Sequence, residues 1–329
     1  MTKFRNYFSV SDATLTLLVI VGFAALTIAT NGNMLSHQSL LSFFTYLCVP
    51  VLIGLSQMVV LAVGQLNLAI GAMGGATTAI MAVLLANHGM PVPLALLVGL
   101  LAAGTFGAIN GLLVVLTGLN GFIVTLGTMT ILIGVQYALV RSFTIDAYSP
   151  ALKGFGRLNI LSVPLIFMVT IAVAALLSIF FSRTVLGRRI LATGGSDKAA
   201  MLSGISNAAS TVWAFAISGL LIGVAAVITM TTLPGINRSI GGDWLLASFA
   251  APIIGGALLT GGTAVVYGTI VAAMLLRLVD FARAQFALDP SWTNFIIGAV
   301  VLATVALGEW RKRRHANRLL VRLEPEVMA

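Results

Sequence analysis

Long uninterrupted apolar runs are the feature that most constrains how this chain can fold. Each run extends over about 17 to 24 residues, which is the length at which a helix crosses roughly 30 Å of hydrocarbon. Membrane-spanning strands would instead alternate apolar and polar residues. Hydrophobic residues make up 59% of the chain and charged residues only 8%, whereas soluble domains are about a quarter charged. The sequence therefore predicts an all-α, polytopic membrane protein.

Ten such segments can be delimited, and the basic residues between them set an orientation. The segments cover residues 14–30, 40–63, 68–87, 93–117, 122–140, 160–182, 208–231, 244–260, 263–280 and 292–308. With the N-terminus inside, twelve of the 18 Lys and Arg residues fall on the cytoplasmic side and the other six outside, in agreement with the positive-inside rule. We therefore expect about ten transmembrane helices with both termini cytoplasmic. Residues 1–310 would form one transmembrane domain, and residues 311–329 a basic cytoplasmic tail.

The N-terminal segment and the net charge of +9 both fit this topology. No small-x-small cleavage site follows the first apolar run, so we expect an uncleaved helix rather than a signal peptide. The basic residues lie in loops and at the C-terminus, where membrane topology places them. The charge therefore predicts no nucleic-acid partner.

Glycines interrupt the apolar segments in both halves of the chain. They are Gly71, Gly74 and Gly75 in the third segment and Gly255, Gly256, Gly261 and Gly262 around the eighth. Glycines let helices pack closely, and they also allow unwound segments beside a transport pathway. Both alternatives stay open. Five segments in each half are compatible with inverted repeats, but we find no strong residue-level match between the halves.

Enzyme motifs are absent from the sequence. It contains no HExxH, no GxSxG and no GxxxxGK[ST], so it offers no metalloprotease, hydrolase or ATP-hydrolysing signature. The lone Cys48 excludes an intrachain disulfide, and the three histidines are too scattered to form a metal site. We predict neither a catalytic residue nor a bound metal nor a cofactor.

Charged groups are nearly absent from the interior of the segments, which disfavours a proton-driven carrier. A pathway would instead be lined by weakly polar side chains, which can exchange hydrogen bonds with a neutral polyhydroxyl solute. The predicted pathway residues are Gln65, Asn67, Asn110, Asn120, Thr125 and Thr128. The alternative for each is that it holds helices together by hydrogen bonds.

The longest polar interruption, Arg183–Ile205, has the pattern of a capped helix near its end. Ser196 can cap a short helix whose first turn holds Asp197. The helix would continue through Ser203, and Gly204 can end it in a left-handed conformation. Such a helix could transmit a displacement from another protein to the spans on either side of it. The alternative is that the stretch is an ordinary basic cytoplasmic loop.

Four stretches resemble one family, the membrane permeases of ATP-binding-cassette sugar importers of the ribose, xylose and inositol type. They are GTFGAINGLLVV (104–115), LNGFIVTLGTMTILIG (119–134), GRRILATGGSDKAAMLSGI (187–205) and APIIGGALLTGGTAVVYGT (251–269). The third is similar to the family's G-R-x-x-x-A-x-G-G-N-x-x-A-A-x-L-S-G-I loop. These four matches run from the fourth predicted span to the ninth.

The resemblance implies a bacterial inner-membrane protein with three kinds of partner. These are two ATPase subunits in the cytoplasm, an extracytoplasmic solute-binding protein, and a second permease in a homo- or heterodimer. The loop over residues 183–207 would couple the permease to the ATPase. Its contact residues would be Gly194, Gly195, Ser196, Asp197, Lys198, Ala199, Ala200, Leu202, Ser203 and Gly204.

The chain departs from the family pattern at several positions. The usual G-G-I-D-L-S-V-G stretch is GQLNLAIG here, with Asn67 in place of the aspartate. In the loop, Ser196 replaces an asparagine and Met201 an arginine, and Thr263–Ala264 replaces a charged residue and a glycine. These differences leave the solute and the composition of the dimer open.

The sequence thus predicts a permease subunit that imports a monosaccharide or related polyol by alternating access. Separate ATPase subunits would supply the energy. Two alternatives remain at this level. One is the same architecture carrying another small solute, such as a branched-chain amino acid or a nucleoside. The other is a self-sufficient carrier or facilitator.

Overall fold

The computed structural model describes residues 10–141, 144–146, 150–160 and 162–287, with isolated positions from 289 to 302. Its helices are α1 (Val10–Ala29), α2 (His37–Ala62), α3 (Ile70–Ala86), α4 (Val92–Thr117), α5 (Gly121–Val140), α6 (Pro150–Gly156), α7 (Leu165–Arg183), α8 (Val185–Gly195), α9 (Asp197–Leu202), α10 (Asn207–Thr232), α11 (Trp244–Ile254) and α12 (Val266–Gln285), with a 3-10 turn at Asn33–Leu35. Helices thus account for nearly all the regular structure.

Four two-residue strands complete the described elements. They are β1 (Ile145–Asp146), β2 (Asn159–Ile160), β3 (Val163–Pro164) and β4 (Gly235–Ile236). β1 pairs antiparallel with β4, and β2 with β3. β4 follows the C-terminal end of α10, whereas α9 precedes its N-terminal end. α10 has 26 residues and is therefore about 39 Å long, so these two features lie at opposite ends of the bundle. We call these ends the strand end and the α9 end.

Five helices are long and apolar enough to cross a membrane. They are α2, α4, α5, α7 and α10, and three shorter apolar helices are Ala13–Ala29, α3 and α11. Large apolar side chains such as Ile28, Leu116 and Leu176 point outward and are 65–78% exposed, which suits lipid rather than water. The prediction of a helical, polytopic membrane protein is confirmed, whereas ten spans and cytoplasmic termini stay predictions. The tail over 311–329 and most of the last predicted span lie outside the described residues.

The core is built around α2, which is buried almost without interruption from Leu47 to Ala62. It packs against α7, α10, α11 and α12. One buried polar contact also joins it to α10, where the Ser56 and Ser218 hydroxyls lie 2.7 Å apart. Serine pairs of this kind hydrogen-bond helices together within apolar surroundings.

Small residues bring α4 and α10 close together. A Cβ atom on Gly107 would overlap the carbonyl oxygen of Phe215, and one on Gly219 would overlap that of Ala103. Helices that share lipid as solvent associate by this kind of close van der Waals packing. Part of the GTFGAINGLLVV motif is therefore a packing surface.

The two glycine clusters behave differently. Gly71, Gly74 and Gly75 lie inside the continuous helix α3 and face Gly241, the ring of Trp244 and Gln136, respectively. Close packing explains them. In the second cluster the chain leaves helical geometry, since Gly256, Gly261 and Gly262 all have φ between 81° and 92°.

Helix boundaries differ from the predicted spans where polar or glycine residues intervene. The eighth span, 244–260, is helical only to Ile254, and the next helix begins at Val266, because the left-handed glycines end the first helix. The third span, 68–87, begins as a helix only at Ile70. The sixth span, 160–182, is helical only from Leu165, and the paired strands β2 and β3 precede that helix.

Candidate functional site

The predicted coupling loop contains two helices rather than one. α9 agrees with the prediction: the Ser196 hydroxyl accepts a hydrogen bond from the Ala199 amide at 3.3 Å, and Asp197 lies in the first turn. Gly204 has φ of 74°, and the Ile205 amide donates to the Ala200 carbonyl at 3.0 Å. These bonds satisfy backbone groups at both ends of a very short helix.

The sequence reasoning missed α8, which precedes α9 directly. Its buried residues Gly187, Ile190 and Thr193 recur every three positions, while Arg188 and Arg189 are exposed. This spacing is a helical signal. Three glycines within the segment lower its helix propensity, and packing of the apolar side against the bundle compensates for them.

Eight of the ten predicted coupling residues are exposed at the α9 end: Gly195, Ser196, Asp197, Lys198, Ala199, Leu202, Ser203 and Gly204. The other two face the protein, since Ala200 is buried and Gly194 packs on other segments. Met201 was not among the ten. It is 65% exposed beside Leu202 at 86%, so α9 presents two adjacent apolar side chains outward.

Gly194 is the point at which α8 meets the bundle. A Cβ there would overlap the Ala62 carbonyl oxygen at the end of α2 and come within 2.6 Å of the Gly262 amide nitrogen. Gly262 in turn donates to the Ala62 carbonyl at 3.0 Å. Three segments thus touch backbone to backbone: α8, the end of α2 and the α11–α12 connection.

Asn207 is a second link that the sequence did not reveal. Its side-chain amide donates to the Asp197 carbonyl at 2.9 Å, and its side-chain oxygen accepts from the Thr193 hydroxyl at 3.2 Å. A single residue at the start of α10 therefore ties α8 and α9 to that long helix. A polar residue just after the cap Ser206 was the available signal.

The predicted pathway residues gather where α2 ends and α5 begins. The Gln65 side-chain oxygen accepts from the Gly121 amide at 2.7 Å. The Thr125 hydroxyl accepts from the Leu68 amide at 2.9 Å and donates to the Gly121 carbonyl at 2.6 Å. The segment between α2 and α3 is therefore fastened to α5.

Asn67 and Asn110 come together around one thioether. Both are buried, and their amide nitrogens lie 3.8 and 3.6 Å from the Met73 sulfur, a weak acceptor. Asn67 also accepts from the Ala69 amide at 2.9 Å and so closes the turn before α3. α4 reaches the same cluster as the 64–69 segment, which sequence distance alone did not indicate.

The last two predicted residues lie on α5. Asn120 caps the helix by accepting from the Phe122 amide at 2.9 Å, and the Thr128 hydroxyl donates to the Thr125 carbonyl at 3.3 Å. Each of the six side chains thus makes a hydrogen bond within the protein, as helix-holding residues do. Contact with a solute stays a prediction.

Two uncharged polar side chains in the described core, Gln57 and Thr77, differ in this respect. The Gln57 amide and the Thr77 hydroxyl are buried and have no hydrogen-bond partner among the described residues. No cluster of three or more metal-ligating side chains occurs in the same part of the chain.

Comparison with known proteins assigns the fold to a family. A family model described as "Branched-chain amino acid transport system / permease component" matches residues 39–305. The chain belongs to this permease family. The permease is accordingly a transporter component and not an enzyme. The matched region includes α8, α9 and the polar cluster formed by Gln65, Asn67, Asn110 and Thr125.

Several curated relatives of the permease align over most of its length. The D-allose transport system permease protein AlsC of Escherichia coli K12 is 27% identical over 86% of this chain and 88% of its own. The fructose import permease protein FrcC of Rhizobium meliloti is 25% identical over 95% and 89%. The galactose/methyl galactoside import permease protein MglC of Escherichia coli K12 is 24% identical over 95% and 97%. No solved structure matches the chain.

Proposed function

We propose that this permease is the membrane subunit of an ATP-binding-cassette importer for a monosaccharide or related polyol. The observation that carries the proposal is the set of relatives named for allose, fructose and galactose transport, which align along nearly the whole chain. The uncharged, weakly polar cluster at the end of α2 supports it, because a neutral polyhydroxyl solute needs hydrogen bonds rather than a counter-charge.

The proposed setting is the inner membrane of a bacterium, with ten spans and both termini in the cytoplasm. The 12:6 division of basic residues supports this topology. It puts α9 in the cytoplasm, where its exposed Met201 and Leu202 would enter an apolar groove on an ATPase subunit. An extracytoplasmic binding protein would deliver the solute at the strand end, and a second permease would complete the transporter.

The proposed mechanism is alternating access driven through the contacts at Gly194. A rigid shift of α9 on ATP binding would displace α8, which touches the end of α2 and the α11–α12 connection. Gln65 lies just after the end of α2, and its side-chain oxygen accepts a hydrogen bond from the amide of Gly121, the first residue of α5. The displacement would therefore reach α5 and the polar cluster through short, rigid contacts, as packed elements transmit motion.

Uptake into proteoliposomes tests the solute class. The permease is reconstituted with its ATPase and binding-protein partners and supplied with D-allose, D-fructose, D-galactose or L-leucine. We expect ATP-dependent accumulation of at least one hexose and none of leucine. Accumulation of leucine alone would support the branched-chain amino acid alternative instead. Hexose uptake by the permease without any ATPase would support a self-sufficient carrier.

Destruction of α9 tests the coupling. Deletion of residues 196–202, or Gly195→Trp, should abolish ATP-dependent uptake, and full transport by either variant would contradict the proposal. A milder double variant, Met201→Ala with Leu202→Ala, should weaken co-purification with the ATPase about tenfold or more, since two exposed apolar anchors are lost. Ile28→Ala is the matched control, because Ile28 is 78% exposed at the strand end.

A further inference from the structure

A cavity of about 380 Å³ lies at the strand end, away from α9 and the polar cluster. Its walls come from α2, from the end of α10 and from the segment that leads into α11. The volume is within the range of small-molecule sites, about 300 to 1,000 Å³. We call it the strand-end cavity.

Two aromatic side chains in its wall, Trp244 and Tyr46, are each held by a contact with another helix. The indole of Trp244 covers Gly74, where any Cβ would overlap the ring, and the residue is only 8% exposed. The ring of Tyr46 lies under the Arg277 guanidinium, 5.3 Å from carbon to centroid, at a distance where the cation attracts the ring. Rigid rings of this kind give flat apolar contact at little entropic cost.

The polar groups of the cavity are available for hydrogen bonds. Among the described residues, no partner exists for the Thr45 hydroxyl, the Ser239 hydroxyl, the Asn237 amide nitrogen or the Asp243 carboxylate. The Asn237 oxygen accepts from the Ser239 amide at 2.9 Å, which fixes the side chain and leaves its two N–H groups. The cavity therefore offers both donors and acceptors.

The loop that carries these groups is itself anchored. The side-chain amide of buried Gln136 donates to the Ile240 carbonyl at 3.1 Å, and Arg238 lies 4.8 Å from the centre of the Tyr137 ring. Both contacts fasten the loop to α5. The polar groups are thus positioned before any solute arrives, which lowers the entropic cost of binding.

The charge of the lining restricts the ligand. The described lining residues include one carboxylate, Asp243, and no Lys, Arg or His. The carboxylate of an amino acid would find no cation among these lining residues. A sugar brings hydroxyl pairs that can donate to Asp243 and accept from Asn237, together with an apolar C–H face for Trp244 or Tyr46.

We propose that the strand-end cavity is the first binding site of the permease for a monosaccharide arriving from the solute-binding protein. The proposal rests on the function proposed above and adds the residues that contact the sugar: Trp244, Tyr46, Asn237 and Asp243.

Fluorescence of the purified full-length permease tests the site. Trp213→Phe, Trp292→Phe and Trp310→Phe together leave Trp244 as the only indole, and this protein is titrated with D-allose, D-fructose, D-galactose and L-leucine. We expect a saturable change with at least one hexose and none with leucine. In that background, Asn237→Ala and Asp243→Asn should each weaken hexose binding about three- to tenfold, as loss of one hydrogen-bonding group does. Asn87→Ala, an exposed amide at the same end, should leave binding unchanged.

The outcomes separate this proposal from the function it rests on. If the complete transporter imports a hexose but Asn237→Ala and Asp243→Asn match Asn87→Ala in both titration and uptake, the cavity is not the site and the import function stands. A Trp244 response to leucine equal to that for the hexoses would also overturn the site. If the wild-type transporter imports no hexose, the proposed function fails first.

Discussion

At the scale of single residues, Gly194 is a point of close contact between α8 and the end of α2. Its neighbours on both sides are backbone atoms, the Ala62 carbonyl and the Gly262 amide. Backbone atoms cannot rotate aside as a side chain can, so any Cβ would have to displace an entire segment. Gly195, one position later, meets only the Gly262 Cα at 4.0 Å.

This contrast gives a matched pair of variants. Gly194→Ala should separate α8 from α2, lower the free energy of unfolding by about 1–3 kcal/mol through overpacking, and reduce the amount of solute transported per ATP. Gly195→Ala should behave as wild type in both respects. Thermal unfolding in detergent and the transport-to-hydrolysis ratio in proteoliposomes are the measurements. Equal behaviour of the two variants would remove Gly194 from the proposed coupling route.

Thr125 supports the 64–69 segment through a partly buried hydrogen bond from the Leu68 amide. Thr125→Val keeps the shape but leaves the Leu68 amide without its acceptor, which should cost about 1–3 kcal/mol of stability. The control is Thr130→Val on the same helix, where the exposed hydroxyl donates only to the Leu126 carbonyl, one turn earlier in that helix. Chemical or thermal unfolding of the purified variants checks the difference, and a Thr125 variant as stable as the control would refute the supporting role.

At the scale of elements, one four-residue stretch of α4 contains two glycines, Gly104 and Gly107, that pack against different kinds of atoms of α10. Gly107 faces the backbone of α10 at the Phe215 carbonyl, whereas Gly104 faces only the Leu220 side chain, 2.9 Å from Cδ2. The end of a leucine can rotate, and helical backbone cannot. Both glycines occur in the same motif, so the sequence does not distinguish them.

We therefore expect Gly107→Ala and Gly104→Ala to have different effects. Gly107→Ala should push α4 away from α10 and destabilise the protein by about 1–3 kcal/mol. Gly104→Ala should be near neutral, since the gain in helix propensity, about 0.5–1 kcal/mol, offsets a small rearrangement of Leu220. The measurements are the folded yield and the unfolding temperature of the two variants. Equal destabilisation by both substitutions would contradict the expectation.

At the scale of the whole molecule, the two ends of the bundle contain different structural features. The α9 end holds the exposed helix α9 and the Gly194 contact, and the strand end holds the paired strands and a cavity lined by Tyr46 and Trp244. The natural Cys48 is fully buried in α2, so it should not react with a membrane-impermeant thiol reagent. New cysteines can therefore report on which side each end lies.

Ser203→Cys and His88→Cys test the orientation. Both positions are exposed, the first at the α9 end and the second at the strand end. With ten spans and cytoplasmic termini, an impermeant maleimide should label the first only in inverted vesicles and the second only in intact cells. The unsubstituted protein should stay unlabelled in both. Labelling of both positions from one side would contradict the topology.

Several features of the site were predictable because they depend on nearby residues. The cap at Ser196, the first-turn Asp197 and the left-handed Gly204 all act within one helical turn, and α9 follows the prediction. α8 and the broken eighth span were not predicted correctly. α8 exists because its buried side packs on distant helices. α11 ends just before Gly256, whose φ is 92°, and Gly261 in the following connection packs against Gly64 and Gly194.

The sequence by itself determined that this protein is a helical membrane permease, because long apolar runs have only one stable arrangement in lipid and the family motifs are local strings. Only the tertiary structure decided that Asn67 and Asn110 meet at Met73, that Gly194 touches Ala62, and that Tyr46 and Trp244 share a cavity. These pairs come from segments far apart in the chain. Their proximity depends on how helices pack, and one glycine or one rotated side chain changes that packing without leaving a local signal.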